Sequence, residues 1–270
     1  MQENKTRRIT VTFRQTIGTI IPEKPFQAPY TYIIRNVPHN GTYFPAGMEE
    51  WYADHGINLL ECARWLTDHY TSDLFGEKLP RTTQVNFLFN RIVCDAERLI
   101  DDPLEERGLG IQYNLSLITG LKNAPLPTRE SMMRSYYIHY NWLKSDIEKG
   151  GELPLVLDCH SFSEHDNVLC PNAHEFKDID ICIGYNEDQT KPAESTLRFV
   201  ANHFRKHGYR VAFNKPFSNS KTVETDHPYH SLMIEVNKHC YMNEDTLERT
   251  ADFDKLHNVL IELQKLLLRS

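Results

Sequence analysis

Two histidines and one glutamate stand where apolar, β-branched runs of the chain end. IIRNVP leads into His39, LVLDC into His160, and LMI into Glu235. Ligands of open α/β sheets bind outside the carboxyl ends of the strands. If these three runs are neighbouring strands, two imidazoles and a carboxylate meet there. Such a donor set, with one position left for water, is a common composition for catalytic zinc. Neutral imidazole suits the ion, and water bound to it ionises near pH 7. A second carboxylate, off the metal, must then take and return the proton. Glu235 interrupts an apolar run, where an ionisable group is costly unless it is paired, coordinated or used. The alternative for the histidines is plain: among 13 in the chain, two could be hydrogen-bonded core residues. Nucleophilic catalysis is a weaker rival. Ser161 follows His160 directly and so faces the other side of a strand, and no GxSxG elbow occurs.

The elements that must position these residues follow from hydrophobic pattern. TYIIRNV (31–37), VNFLF (85–89), LPLVLD (153–158), DICIGY (180–185), YRVAFN (209–214) and SLMIEV (231–236) are mostly continuous apolar runs. They read as strands buried on both faces. Between them lie helical patterns at 57–75, 130–149, 193–207 and 245–269. Strands alternating with helices predict an α/β fold with a mixed, mainly parallel sheet flanked by helices. Residues 1–270 read as a single domain. The stretch 101–129 is rich in Gly, Pro and polar residues, and a loop of that length is expected to be functional or a surface meander.

Bulk properties narrow the function classes. The chain has 270 residues, 40% of them hydrophobic, and a net charge of −7 without a long basic run. This is enough for a sizeable core, and it lacks the electrostatic footprint of nucleic-acid binding. No run of 18 apolar residues exists, so no membrane span is expected. MQENKTRRITVTFRQ has no apolar h-region, so no signal peptide is expected either. The six cysteines are scattered without a CxxC pair, and read as reduced core residues of a cytoplasmic protein.

Seven segments in order extend the reading: VPHNG (37–41), TDHYTSDLF (67–75), NRIVCDAER (90–98), YYIHYNWL (136–143), LDCHSF (157–162), FNKPF (213–217) and IEVNKHCYMNE (234–244). Together they resemble the N-formylglutamate amidohydrolase (deformylase) family, related to the zinc carboxypeptidases. The resemblance implies a phosphorylase/hydrolase-like α/β fold and one zinc ion per chain. It implies hydrolysis of the amide of a small N-formyl or N-acyl amino acid such as N-formylglutamate. Carried over residue by residue, it implies His39, Asp68 and His160 as metal ligands and Glu235 as the general base. His69 and Asp95 are alternatives to Asp68. Arg91 and Arg98 are candidate substrate contacts, because a guanidinium fork matches a carboxylate; their alternative is a structural ion pair with Asp95. Lys215 is a further cationic candidate. Asp158 shares a strand face with His160 and is a candidate to hold that ring. The sequence departs from the family pattern at Asn40, where serine is usual, at Glu97, where asparagine is usual, and after FNKPF, where paired glycines are expected. These departures fall near the expected substrate site. A zinc amidase or carboxypeptidase acting on a short peptide, or a non-catalytic metal- or carboxylate-binding protein, are the alternative functions.

Overall fold

The apolar runs assemble into one six-stranded sheet. Its strands are β1 (Ile33–Val37), β2 (Thr82–Asn86), β3 (Leu155–Phe162), β4 (Ile181–Gly184), β5 (Val211–Phe213) and β6 (His230–Asn237), in the order β2-β1-β3-β6-β4-β5. Every pairing is parallel except β4 with β6. The structure is a computed structural model that describes residues 26–122, 126–218 and 223–269. The N-terminal stretch read for a signal peptide, and part of the segment after FNKPF, lie outside the described residues. β7 (Met242–Asn243) and β8 (Glu248–Arg249) form a separate ribbon.

Helices cover both faces, as continuous apolar strands require. They are α1 (Met48–Asp54), α2 (Leu59–Ala63), α3 (Thr71–Phe75), α4 (Ser116–Thr119), α5 (Arg129–Lys149), α6 (Glu194–Lys206) and α7 (Phe253–Leu267). Leu155, Leu157 and Cys159 of β3 pack with Leu74 of α3, Phe204 of α6 and Leu256 and Leu260 of α7. Val156 faces the other way, against Leu143 and Ile147 of α5. All six cysteines are unpaired. Among the described residues no helix is long and apolar enough to cross a membrane.

The expected elements hold at 130–149 and 193–207 and shift elsewhere. β3 does not stop at His160 but pairs with β6 as far as Phe162. VNFLF leaves the sheet after Asn86. The last helix begins at Phe253, because the residues before it form the β7–β8 ribbon and its turn. The helix expected over 57–75 is broken between Ala63 and Thr71. There the Asp68 N–H donates to the His39 carbonyl (3.0 Å), and Tyr70 adopts φ 65°. Lys238, fully buried, donates from Nζ to the Trp65 carbonyl (2.9 Å) and holds the break from its other side. The 101–129 segment carries a 3-10 turn, Pro103–Arg107, as well as α4.

A buried polar chain stitches α5 to the sheet. His139 Nε2–H donates to Asn36 Oδ1 (2.9 Å), Asn36 Nδ2–H to Asp158 Oδ1 (2.7 Å), and Ser231 Oγ–H to Asp158 Oδ2 (3.1 Å). Among the described residues His139 Nδ1 is buried without a hydrogen-bond partner, so a proton there would be unsolvated. Burial, and then the nearby His39, lowers the His139 imidazole to about 4. The unfolded imidazole titrates near 6.5, so the unfolded chain takes up this proton first as pH falls. The contribution is fully present above about 6.5 and is lost as pH falls towards 4. Between pH 7 and pH 5 it should remove about 2 kcal/mol of stability. In urea unfolding, His139→Gln is expected to show a pH dependence smaller than wild type by about that amount.

Candidate functional site

β1, β3 and β6 are neighbours, so the sequence condition for convergence is met. The β3–β6 register sets His160 beside Glu235. Both belong to the face covered by α5, because Val156, Asp158 and His160 alternate with the residues that face α7. His39 lies two residues beyond β1. Asp68 reaches the same point from the break between α2 and α3, held by the contact with His39 and by Ser161 N–H donating to its Oδ2 (3.3 Å).

At the centre, three donor atoms converge. His39 Nδ1 is 3.1 Å from His160 Nδ1, and Asp68 Oδ2 is 3.2 Å from His160 Nδ1 and 3.7 Å from His39 Nδ1. Ligand atoms around a tetrahedral zinc at about 2.0–2.1 Å stand roughly 3.3 Å apart, so these separations fit such an ion. The tautomer fits as well. His39 Nε2–H donates to Asp95 Oδ1 (2.8 Å), which leaves Nδ1 a lone pair aimed at the other donors. Glu97 faces the outer side of both rings, 3.3 Å from His160 Nε2 and 3.7 Å from His39 Nε2. His39, Glu97 and His160 thus also form a group able to hold a metal ion.

Asp95 is the hub of this cluster. It is fully buried and accepts from His39, from Arg91 Nη2 (2.9 Å), from Tyr113 Oη (2.7 Å) and from the Glu97 N–H (3.0 Å). Arg98 Nε lies 3.7 Å away and donates to the Leu109 carbonyl (3.2 Å). Burial alone would raise the Asp95 carboxyl; Arg91, His39 and Arg98 outweigh it and hold it well below the usual carboxylate range. Burial would likewise depress the His160 imidazole, but Glu97, Asp68 and Glu235 raise it well above its ordinary value. Three ionised carboxylates in contact with the rings therefore face two guanidiniums.

Glu235 behaves differently. Burial is the largest influence on it and pushes its carboxyl up to about 8. Among the described residues its Oε2 is buried without a hydrogen-bond partner. It lines a cavity of about 550 Å³ together with Asp68, Glu97, His160, Arg91, Arg98 and Arg107. A carboxylic acid there can exchange a proton with a molecule in the cavity.

Structure therefore brings together His39, Asp68, His160 and Glu235, with Arg91 and Arg98 on the cavity wall paired to Asp95. His69 is not among these contacts; its ring stands beside Tyr70. Lys215 places its Nζ over the Phe176 ring. Asp158 does not hold His160: its hydrogen bonds go to Asn36 and Ser231, and burial raises it to about 6. The residues that sequence reasoning undervalued are Asp95 and Glu97. Two carboxylates inside NRIVCDAER were the available signal; which charge each would meet depends on partners far away in the chain.

A six-stranded α/β sheet with a polar, cation-ready cleft at its strand ends defines a hydrolase-like scaffold. The chain belongs to the N-formylglutamate amidohydrolase family, whose sequence profile matches residues 31–242. It is accordingly a hydrolase acting on an amide. A solved N-formylglutamate amidohydrolase from Ralstonia eutropha JMP134 has a similar fold (TM-score 0.67, 22% identity, covering 90% of this chain and 93% of that one). A gene product from Agrobacterium tumefaciens is similar at TM-score 0.51 and 17% identity, over 88% of this chain and 92% of that one. No curated protein matches the chain.

Removing the hub would strand Arg91 in the interior. Asp95→Ala is expected to cost about 3–5 kcal/mol in chemical denaturation. Adding Arg91→Met to that variant should restore part of the loss, since the unpaired charge goes with it.

Proposed function

We propose that the protein is a zinc-dependent amidohydrolase that cleaves the amide of a small N-acyl amino acid. The observation that carries this reading is the convergence of His39 Nδ1, His160 Nδ1 and Asp68 Oδ2 within 3.1–3.7 Å, beside a cavity that Glu235 lines. His39, Asp68 and His160 would hold the ion. Bound there, zinc would supply Lewis acidity and a water activated near neutral pH.

The remaining chemistry belongs to the side chains. Glu235 takes a proton from the attacking water and passes it to the leaving amine, so one carboxyl serves as base and then as acid. Its burial keeps its affinity for a proton high enough for both transfers. Asp95 fixes the His39 ring through Nε2. Arg91 and Arg98, anchored on Asp95, offer their remaining N–H groups to the substrate carboxylate or to the oxyanion as it forms. Water adds to the acyl carbon, the C–N bond breaks, and a carboxylic acid and an amino acid leave.

Elemental analysis of purified protein is expected to find about one zinc per chain in wild type and little in His160→Ala. Glu235→Gln should retain the metal and lose roughly 10²–10⁴-fold in turnover of an N-formyl amino acid. A Glu235→Gln enzyme with zinc bound and near-normal turnover would sink the assignment. A chelator should abolish activity and added zinc restore it.

A further inference from the structure

A second set of donors stands across the sheet from the cleft. α6 and α7 cover the face of β3 opposite the one that carries His160. His203 lies in the last turn of α6, and His207 is the residue that follows the helix. Their rings are neighbours, with centroids 4.8 Å apart. Val259 and Glu262, three residues apart on α7, share a face of that helix. The two helices meet at these residues. His203 Nε2–H donates to the Val259 carbonyl (2.9 Å), and His207 Nε2 lies 3.5 Å from Glu262 Oε2.

The hydrogen bonds fix the tautomer of each ring. A carbonyl oxygen only accepts, so His203 carries its proton on Nε2 and keeps a lone pair on Nδ1. His207 donates from Nδ1 to the His203 carbonyl (2.9 Å), which leaves its lone pair on Nε2. Metal-binding histidines are oriented in this way, with the other N–H held by a carbonyl or carboxylate. The free His207 nitrogen faces a carboxylate oxygen, and two acceptors repel unless a cation lies between them. A proton, making an ion pair, is one such cation; a metal ion is the other.

Two observations favour the metal. His203 is buried, and burial lowers its imidazole, so the ring is neutral and able to ligate at neutral pH. His203, His207 and Glu262 each offer a donor atom within 4.8 Å of the other two, and all three line one cavity of about 760 Å³. Donors around a tetrahedral ion stand roughly 3.3 Å apart. The His207–Glu262 separation already matches, and rotation of these two side chains, which solvent reaches, closes the rest. Arg198, Arg205 and Lys206 line the same cavity, all exposed. Solvent screens their charge, which weakens the site without closing it. An ion there exchanges with its surroundings and is held only when zinc is supplied.

We propose that His203, His207 and Glu262 form a second, exchangeable divalent-metal site that ties α6 to α7, with zinc as its ion. Two imidazoles and a carboxylate suit that ion by ligand type.

The test is a zinc titration of the full chain, followed by calorimetry and by equilibrium dialysis with elemental analysis. The proteins are wild type, His207→Ala, Glu262→Gln and, as a control, His55→Ala, an exposed histidine whose Nδ1–H is likewise held by a backbone carbonyl, that of Trp51. Wild type is expected to take up about one zinc per chain more than His207→Ala, whatever the cleft holds. Glu262→Gln should weaken that extra ion at least about tenfold, and His55→Ala should leave it unchanged. Added zinc should raise the melting temperature of wild type more than that of His207→Ala, because an ion bound only by the folded chain stabilises it. Turnover should be the same in His207→Ala as in wild type. Equal zinc uptake by wild type and folded His207→Ala overturns the proposal and leaves His207 and Glu262 as an ion pair. An equal loss in His55→Ala overturns it too, as adventitious binding to surface histidines. Neither result touches the amidohydrolase reading.

Discussion

Much of the site depends on keeping one carboxylate ionised in the interior. Asp95 is fully buried, and a charge there is tolerated only because every direction it faces supplies a donor. Those donors come from separate parts of the chain. His39 follows β1, Arg91 and Glu97 flank Asp95 itself, and Tyr113 comes from the 101–129 segment. One desolvated charge therefore ties together the first strand end, the segment after β2 and the long loop.

The same interaction sets the chemistry. Because the Asp95 carboxylate takes the outer N–H of His39, the inner nitrogen is left as a lone pair. That lone pair meets His160 and Asp68, the donors of a candidate metal site. Glu235 lies on the adjoining strand, away from the guanidiniums' direct contacts, and burial raises its proton affinity instead. Neighbouring carboxylates thus acquire opposite roles, one permanently ionised and structural, one able to hold a proton, through environment alone.

Glu97 joins the buried cluster to the cavity. It is two residues from Asp95, reaches the outer side of both histidines, and also faces the cavity. A group in that position contributes charge to the cavity as well as to the cluster. Arg107, at the end of a turn braced by Asp102 and Glu105, adds a guanidinium without an ion pair among the described residues to the same cavity.

The amino-acid sequence by itself determined the sheet-forming runs, the long α5 and α6, and the placement of His39 just beyond β1 and of His160 and Glu235 toward the carboxyl ends of β3 and β6. Hydrophobic periodicity is local and survives without knowledge of neighbours. The sequence also singled out Arg91, Asp95 and Arg98 within NRIVCDAER, but not what those charges meet. Only tertiary structure decided that the 57–75 helix breaks, because the interruption is made by the His39 carbonyl 29 residues upstream of Asp68 and by the buried Lys238 far downstream. Only tertiary structure gave Asp158 to Asn36 and Ser231 rather than to His160, although strand alternation put Asp158 and His160 on one face. Side-chain direction along a strand follows from backbone geometry; the partner a buried polar group finds depends on which distant elements fold against it.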